Sequence, residues 1–312
     1  MIITEPHPAG TAFAHPALFY RDAEEFLAGT VPFVLDGLEA GDPVAVAVPD
    51  PHLQLLRTEL GPFAEQVRLI NMSEAGRNPG RIIGEVLSPV AYGHPGSHIR
   101  IVGEPVWPGR TTLEYPACVL HEALINLAFR DRSATILCPY DVTGLAPDVL
   151  VDAAVTHPVL IERGRAHTSP DFAPEQIAQA CNRPLPEPTA AIRFPFGVDQ
   201  LAAARKLVAE HAACAGLDEE RIDDVVLAVG ELAANSLRHG GGSGLLRLWE
   251  EKGHLVCEVS DTGHITDLLA GRRPVSARQL SGRGLRMVHY FADLVRTRTS
   301  PEGTTTRVYM RR

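Results

Sequence analysis

Glu231-Leu-Ala-Ala-Asn235-Ser-Leu-Arg-His239, followed by Asp261-Thr-Gly263 and Gly282-Arg-Gly284-Leu285, decides how the C-terminal half of the chain reads. At a spacing of four, Glu231 and Asn235 stack on one face of a helix. Ile222, Val226, Val229, Leu232 and Ser236 form the mostly apolar opposite stripe that a sheet would cover. The polar pair is then turned to a cavity or to solvent. Leu255 to Ser260 reads as a strand that delivers Asp261 at its end, and Thr262-Gly263 turns the chain away. A carboxylate there can accept a hydrogen bond from the exocyclic amine of adenine, and the glycine lets backbone approach a ring. Gly282 and Gly284 precede the helical run Leu285 to Ala292, whose first N–H groups suit phosphates. His239 either caps the last helical turn before Gly240 or touches the ligand. Singly each element is ordinary; their order, intervals and strand or helix context point to a nucleotide site.

These residues resemble the GHKL ATPases, whose Bergerat-fold ATP site is shared by histidine kinases, gyrase B and anti-sigma-factor serine kinases. The resemblance covers roughly residues 190 to 312. Glu231, Asn235 and His239 match its N box, Asp261 and Gly263 its first glycine box, and Gly282, Arg283, Gly284 and Leu285 its second. Gly303-Thr304 matches the closing Gly-Thr. One position departs: Ile265 stands where the first box usually has a second glycine, as is common in the anti-sigma kinase branch. The resemblance implies ATP as the nucleotide, Asn235 as the residue that holds Mg2+ against the phosphates, and Glu231 as the general base.

Composition narrows the remaining classes. The 312 residues are 45% apolar and 21% charged, enough for two cores of ordinary size. A net charge of −9 argues against a sequence-independent grip on nucleic acid. Five scattered cysteines, Cys118, Cys138, Cys181, Cys214 and Cys257, fit reduced thiols rather than a secreted disulfide framework. The N-terminus lacks a basic start and a long apolar run, and no membrane span is expected, so the expected location is the cytoplasm. Lys206 and Lys252 are the only lysines, and neither follows a glycine-rich turn, which leaves a P-loop lysine or a Schiff-base lysine hard to place.

Cys181-Asn-Arg-Pro-Leu-Pro-Glu-Pro188 reads as a stiff connector. The expected division is 1–180, a 181–189 linker, and 190–312. Only one short helical segment, Pro174 to Cys181, lies ahead of the linker, where an autophosphorylating histidine kinase needs a long helical hairpin. Beyond it, Ile192 to Phe196, Gly244 to Glu250, His254 to Ser260, Leu294 to Thr299 and Thr304 to Met310 read as strands, with helices at Val198 to Cys214 and Glu219 to Arg238. The expectation is an α/β sandwich, a helix layer on a mixed sheet. His264 to Ser281, with Arg272, Arg273 and Arg278, has the place and charge of an ATP lid, or is a solvated basic loop.

Upstream, short apolar runs alternate with helical stretches, the pattern of a parallel α/β sheet. The expected strands are Val44 to Val48, Val67 to Asn71, Ile99 to Val102 and Thr135 to Cys138. Ligands of such sheets bind beyond the strand carboxyl ends. His15-Pro-Ala-Leu-Phe-Tyr20, Phe33 to Gly41, Gly103-Glu104-Pro-Val-Trp107, Tyr140-Asp141 and His157-Pro158 resemble the MEDS domain, a RecA-like, Rossmannoid sensory module, over roughly residues 10 to 165. That resemblance implies a small organic ligand, with His15, Tyr20, Glu104, Trp107, Cys138, Tyr140 and Asp141 as the expected pocket. Cys118 and His121, three apart on a helix from Pro116 to Arg130, could join Cys138 or His15 around a metal, although buried packing is the commoner role for such residues.

Together these expectations describe a sensory domain controlling an ATP-binding anti-sigma factor with serine-kinase activity. By resemblance its partners are a sigma factor and a STAS-type anti-anti-sigma protein, and it forms a homodimer. The alternatives are a binding module in which ATP shapes a surface but no phosphate moves, and a ligand-driven ATPase switch without a protein substrate.

Overall fold

The computed structural model describes residues 13–274 and 282–312. Contacts divide the chain into two units, Met1–Gln179 and Ala180–Arg312. Among the described residues no helix is long and apolar enough to cross a membrane.

The first unit is built on strands β1 (Phe13–Ala14), β2 (Pro16–Tyr20), β3 (Val44–Val48), β4 (Arg68–Asn71), β5 (Ile99–Gly103), β6 (Ala134–Asp141), β7 (Val159–Glu162) and β8 (Arg165–Thr168). Their order is β4-β3-β5-β6-β2-β7-β8, with β1 also against β6. Every pair is parallel except β7 with β8. Val44-Ala-Val-Ala-Val48 is buried at all five positions, as a strand covered on both faces must be. The four expected strands are present, and β2 sits centrally between β6 and β7. Pro16 stands at its first residue, where a missing N–H costs least. β8 is exposed throughout, so it carried no apolar signal.

The second unit contains β9 (Ile192–Phe196), β10 (Gly244–Glu251), β11 (His254–Asp261), β12 (Leu294–Ser300) and β13 (Gly303–Arg311), in the order β12-β13-β11-β10-β9. All four pairs are antiparallel, so the sheet is not the expected mixed one. Each neighbouring pair runs in opposite senses whether it is joined by a tight hairpin or by a helical excursion. One face is covered by the helices Leu201–Cys214, Glu219–His239 and Arg283–Phe291.

The Glu219–His239 helix starts where the Asp218 carboxylate accepts the Arg221 N–H, and Glu219 and Glu220 complement its positive end. Its inward stripe is Val225, Ala228, Val229, Leu232, Ala233 and Ser236; Ile222 and Val226 flank it half-buried. The inner stripe packs on Leu246, Leu248, Leu255, Cys257 and Val259. Full burial of each large aliphatic side chain is worth about 1.5–3 kcal/mol. This anchoring fixes which helical positions remain for chemistry.

The opposite face of the sheet carries a buried charge cluster. The Glu258 carboxylate, fully buried, accepts from Arg247 Nε at 2.6 Å and from Arg307 on the two adjacent strands. Segment 181–189 lies in this unit: Arg307 donates to the Pro186 carbonyl, Arg247 pairs with Glu187, and Asn182 exchanges two 2.8 Å hydrogen bonds with the Thr299 backbone. It is laid against the sheet rather than spanning open solvent.

Candidate functional site

All ten residues expected at the nucleotide site line one cavity of about 490 Å³ in the second unit: Glu231, Asn235, His239, Asp261, Gly263, Gly282, Arg283, Gly284, Leu285 and Thr304. The Glu219–His239 helix supplies one wall, the end of β11 and the start of β13 the floor, and the Arg283–Phe291 helix the opposite wall. Glu231 and Asn235, half-buried, face inward because the apolar stripe holds the other side of their helix on the sheet. Asn235 Oδ1 accepts from Arg238 Nη2 at 3.4 Å.

Asp261 is fixed from two sides. Its Oδ2 accepts from the Ser236 hydroxyl at 2.5 Å, and its Oδ1 from the Gly263 N–H at 2.8 Å. Each oxygen keeps acceptor capacity for a donor in the cavity. The Thr304 hydroxyl donates to the Gly263 carbonyl at 2.8 Å and lies 2.8 Å from the Thr299 hydroxyl, which accepts the Ile265 N–H. The turn after β11 is thus held at both peptide edges. Gly263 is needed there: a Cβ would stand 2.7 Å from the His239 carbonyl oxygen. The His239 backbone meets this turn, while the residue itself is exposed in the last turn of its helix.

Gly282 adopts φ 92° immediately ahead of the Arg283–Phe291 helix. At Gly284 a Cβ would stand 2.5 Å from Glu231 Oε2, so this glycine lets the helix start pass the carboxylate. A carboxylate at a rigid floor, apolar walls from Leu232, Val259, Ile265 and Met287, and a helix N-terminus at the far side suit an amine-bearing planar base joined to an anionic chain.

In the first unit the seven expected pocket residues fall into separate groups. At the carboxyl ends of β2 and β5 the Tyr20 hydroxyl donates to Glu104 Oε1 at 3.0 Å, and His52 Nδ1 lies 2.7 Å from Glu104 Oε2. Burial pushes the Glu104 carboxyl up. Burial opposes protonation of His52, but its hydrogen bond to Glu104 and that residue's charge prevail and raise it. Asp141, in the same electrostatic neighbourhood, is tied down by the Thr143 N–H and hydroxyl and by the Gly144 N–H. His15 and Cys138 lie instead in the interior with Glu122 and His157, and Tyr140 adjoins Glu122. Trp107 joins neither group. Its ring is covered by the Arg110 guanidinium at 3.8 Å, whose N–H groups bond the Pro105, Gly76 and Arg77 carbonyls. A second cavity, of about 560 Å³ between Leu18, Gly29, Arg100 and Arg163, contains none of the seven.

Residues 14–158 match the family described as MEDS, the methanogen/methylotroph, DcmR sensory domain, and residues 194–310 match the histidine kinase-like ATPase domain. The chain carries one domain of each kind. Among solved structures, the RsbU and RsbW domains of a Mycobacterium tuberculosis protein are similar at 20% identity and a TM-score of 0.30, over 40% of this chain and 33% of that one. The match spans about a third of that relative's length. No curated protein matches.

Within the ATPase domain, sequence reasoning assigned Ser236 to the packing stripe, whereas its hydroxyl is the partner of Asp261. A hydroxyl at an otherwise apolar stripe position was the signal. Thr306, Met287 and His264 also line the cavity without a motif to announce them. Of the basic residues between the glycine boxes, Arg272 is buried and Arg273 exposed near Asp267; Arg278 and Ser281 lie outside the described residues. Within the MEDS domain the missed residues are His52, four residues past the end of β3, and Glu122 in the interior group. Cys118 and His121 are both buried, and neither belongs to the cluster around Cys138 and His15.

Proposed function

We propose that this chain is a signalling regulator of the anti-sigma kinase kind, in which the MEDS domain senses a small organic molecule and the ATPase domain binds ATP with Mg2+ and phosphorylates a protein serine. The observation that carries the reading is the convergence of Glu231, Asn235, Asp261 and the Gly282–Leu285 turn on one cavity.

In this reading Asp261 receives the adenine amine, Asn235 holds the magnesium, and the N–H groups at the start of the Arg283–Phe291 helix meet the phosphates. ATP supplies the transferable phosphoryl group. Glu231 stands on the polar helix face beside that helix start, where it orients a serine hydroxyl and takes its proton. Such a role is worth about a hundredfold to ten-thousandfold in rate. The protein substrate is a STAS-type anti-anti-sigma partner, the sequestered partner is a sigma factor, and the working form is a homodimer in the cytoplasm. The small organic ligand sits at the carboxyl ends of β2, β3, β5 and β6, against Tyr20, Glu104, His52 and Asp141.

Glu231→Gln tests the kinase step, because glutamine keeps the shape and cannot take the proton. ATP affinity should change by no more than about 1.4 kcal/mol, while phosphoserine on a cognate STAS protein appears at least about a hundredfold more slowly. Equal transfer rates would remove Glu231 from the chemistry. ATP binding without transfer to any STAS candidate would leave a nucleotide-dependent binding module.

A further inference from the structure

Inside the MEDS domain, four fully buried side chains from four separate segments bring one ligand atom each to a common point: His15 between β1 and β2, Glu122 on the Tyr115–Phe129 helix, Cys138 on β6 and His157 before β7. These atoms all lie within 4.8 Å of one another. His15 Nε2 is 3.2 Å from Glu122 Oε2 and 3.3 Å from Cys138 Sγ; Glu122 Oε2 is 3.6 Å from Cys138 Sγ and 3.5 Å from His157 Nε2.

The protons do not suffice for these contacts. The Asn126 amide nitrogen donates to the Thr156 carbonyl at 2.8 Å and faces the Glu122 and Ala123 carbonyls, which turns its Oδ1 toward His15 Nδ1. His15 therefore carries its proton on Nδ1 and presents a lone pair at Nε2. His157 Nδ1 donates to the Ala153 carbonyl at 2.9 Å, so its Nε2 lone pair also points into the cluster. Against two imidazole lone pairs and two carboxylate oxygens stand the Cys138 thiol proton and the Tyr140 phenol beside Glu122. His157 Nε2 and Glu122 Oε1 have no hydrogen-bond partner among the described residues. A cluster so rich in acceptors, fully out of water, is costly unless a cation enters it.

The spacing fits such a cation. Zinc bonds of about 2.0–2.3 Å in a tetrahedron place ligand atoms roughly 3.3–3.8 Å apart; four of the six separations here span 3.2 to 3.6 Å, and all six lie within 4.8 Å. Charge fits as well, since a divalent ion balances one carboxylate and one thiolate. Asn126, and the Ala153 carbonyl, hold the two imidazoles from behind, as outer partners of metal-bound histidines do.

We propose that His15, Glu122, Cys138 and His157 form a closed, four-ligand site for a divalent transition-metal ion of the zinc class. On binding, the Cys138 S–H bond breaks, its proton passes to solvent, and the sulfur electron pair forms the metal bond, so one proton is released per ion. With all four positions filled by protein, the ion clamps the start of β2, the middle of β6, the Tyr115–Phe129 helix and the segment before β7 together, and has no open position for a substrate.

Untagged full-length protein, stripped with a chelator and titrated with Co2+ as the probe, tests this. One Co2+ per chain should give the intense visible bands of tetrahedral cobalt with a near-ultraviolet thiolate-to-cobalt charge-transfer band. Cys138→Ser should abolish that band and Cys118→Ala should leave it intact. Asn126→Ala should keep the band and weaken cobalt affinity by about tenfold to a hundredfold, which separates ligation from folding should Cys138→Ser not fold. A folded parent that takes up no cobalt, cobalt bound without a thiolate band, or a band that survives Cys138→Ser would overturn the proposal.

Discussion

The Ser236 hydroxyl donates to Asp261 Oδ2 at 2.5 Å, joining the Glu219–His239 helix to the end of β11 at the floor of the cavity. Ser236→Ala leaves that oxygen without its buried partner. The ATPase domain should lose about 1.5–3 kcal/mol of stability, the usual range for a hydrogen bond to a charged group. ADP affinity should fall at the same time, as Asp261 gains freedom. Thermal melts with and without ADP check both; unchanged affinity would place Ser236 in packing alone.

Asn235 lies on the helix face turned from the sheet, so Asn235→Ala should leave the fold intact. Mg2+-dependent ATP binding should weaken while the metal-free component stays as it was. Calorimetric titrations with Mg2+ and with a chelator separate the two. A lowered melting temperature without nucleotide, with affinity preserved, would make the residue structural.

At Gly284 a methyl group would fall 2.5 Å from Glu231 Oε2. Gly284→Ala should therefore displace the carboxylate and depress phosphate transfer more than ATP binding. In a Glu231→Ala background the added methyl should cost little further. Additive losses in the double variant would mean that the two positions act independently.

His52 holds its proton to higher pH than a free histidine because Glu104 accepts from it at 2.7 Å. Its ordinary value is 6.5, so the stability contributed by protonated His52 is complete below that pH and drains away as pH rises through the raised folded value. Imidazole NMR should place the midpoint above 6.5 in the parent. In Glu104→Gln it should drop, since burial is then opposed only by the Asp141 charge. A midpoint indifferent to that substitution would refute the pairing.

The residues that line the cavity of the second unit were legible because local rules governed them: a four-residue spacing fixes a helix face, and Asp-x-Gly after a strand fixes a turn. The long-range pairings were not. Ser236 read as one more stripe position until β11 brought Asp261 beneath it. The seven residues expected as one MEDS pocket divide into separate groups for a similar reason. Residues adjacent in sequence, such as Cys138, Tyr140 and Asp141, are carried by β6 from the interior to the strand end, so they serve different groups. Glu122 carried no motif and His157 only the short word His157-Pro158, and only the packing of the Tyr115–Phe129 helix and the segment before β7 against the sheet unites them with His15. β2 was hidden because its proline and aromatic residues read as a word rather than a strand.

The proline-rich segment ahead of β9 has a practical consequence for dissecting the protein. Asn182 is bonded to Thr299, Pro186 to Arg307 and Glu187 to Arg247, and both arginines meet on Glu258. A fragment begun at residue 190, where the nucleotide motifs and their sheet begin, would strip two arginines of outer partners and leave one acidic residue between them. Begun at 182, it keeps the stitching. The same bonds tie this segment to strands β10, β12 and β13, so it belongs to the folded body of the second unit.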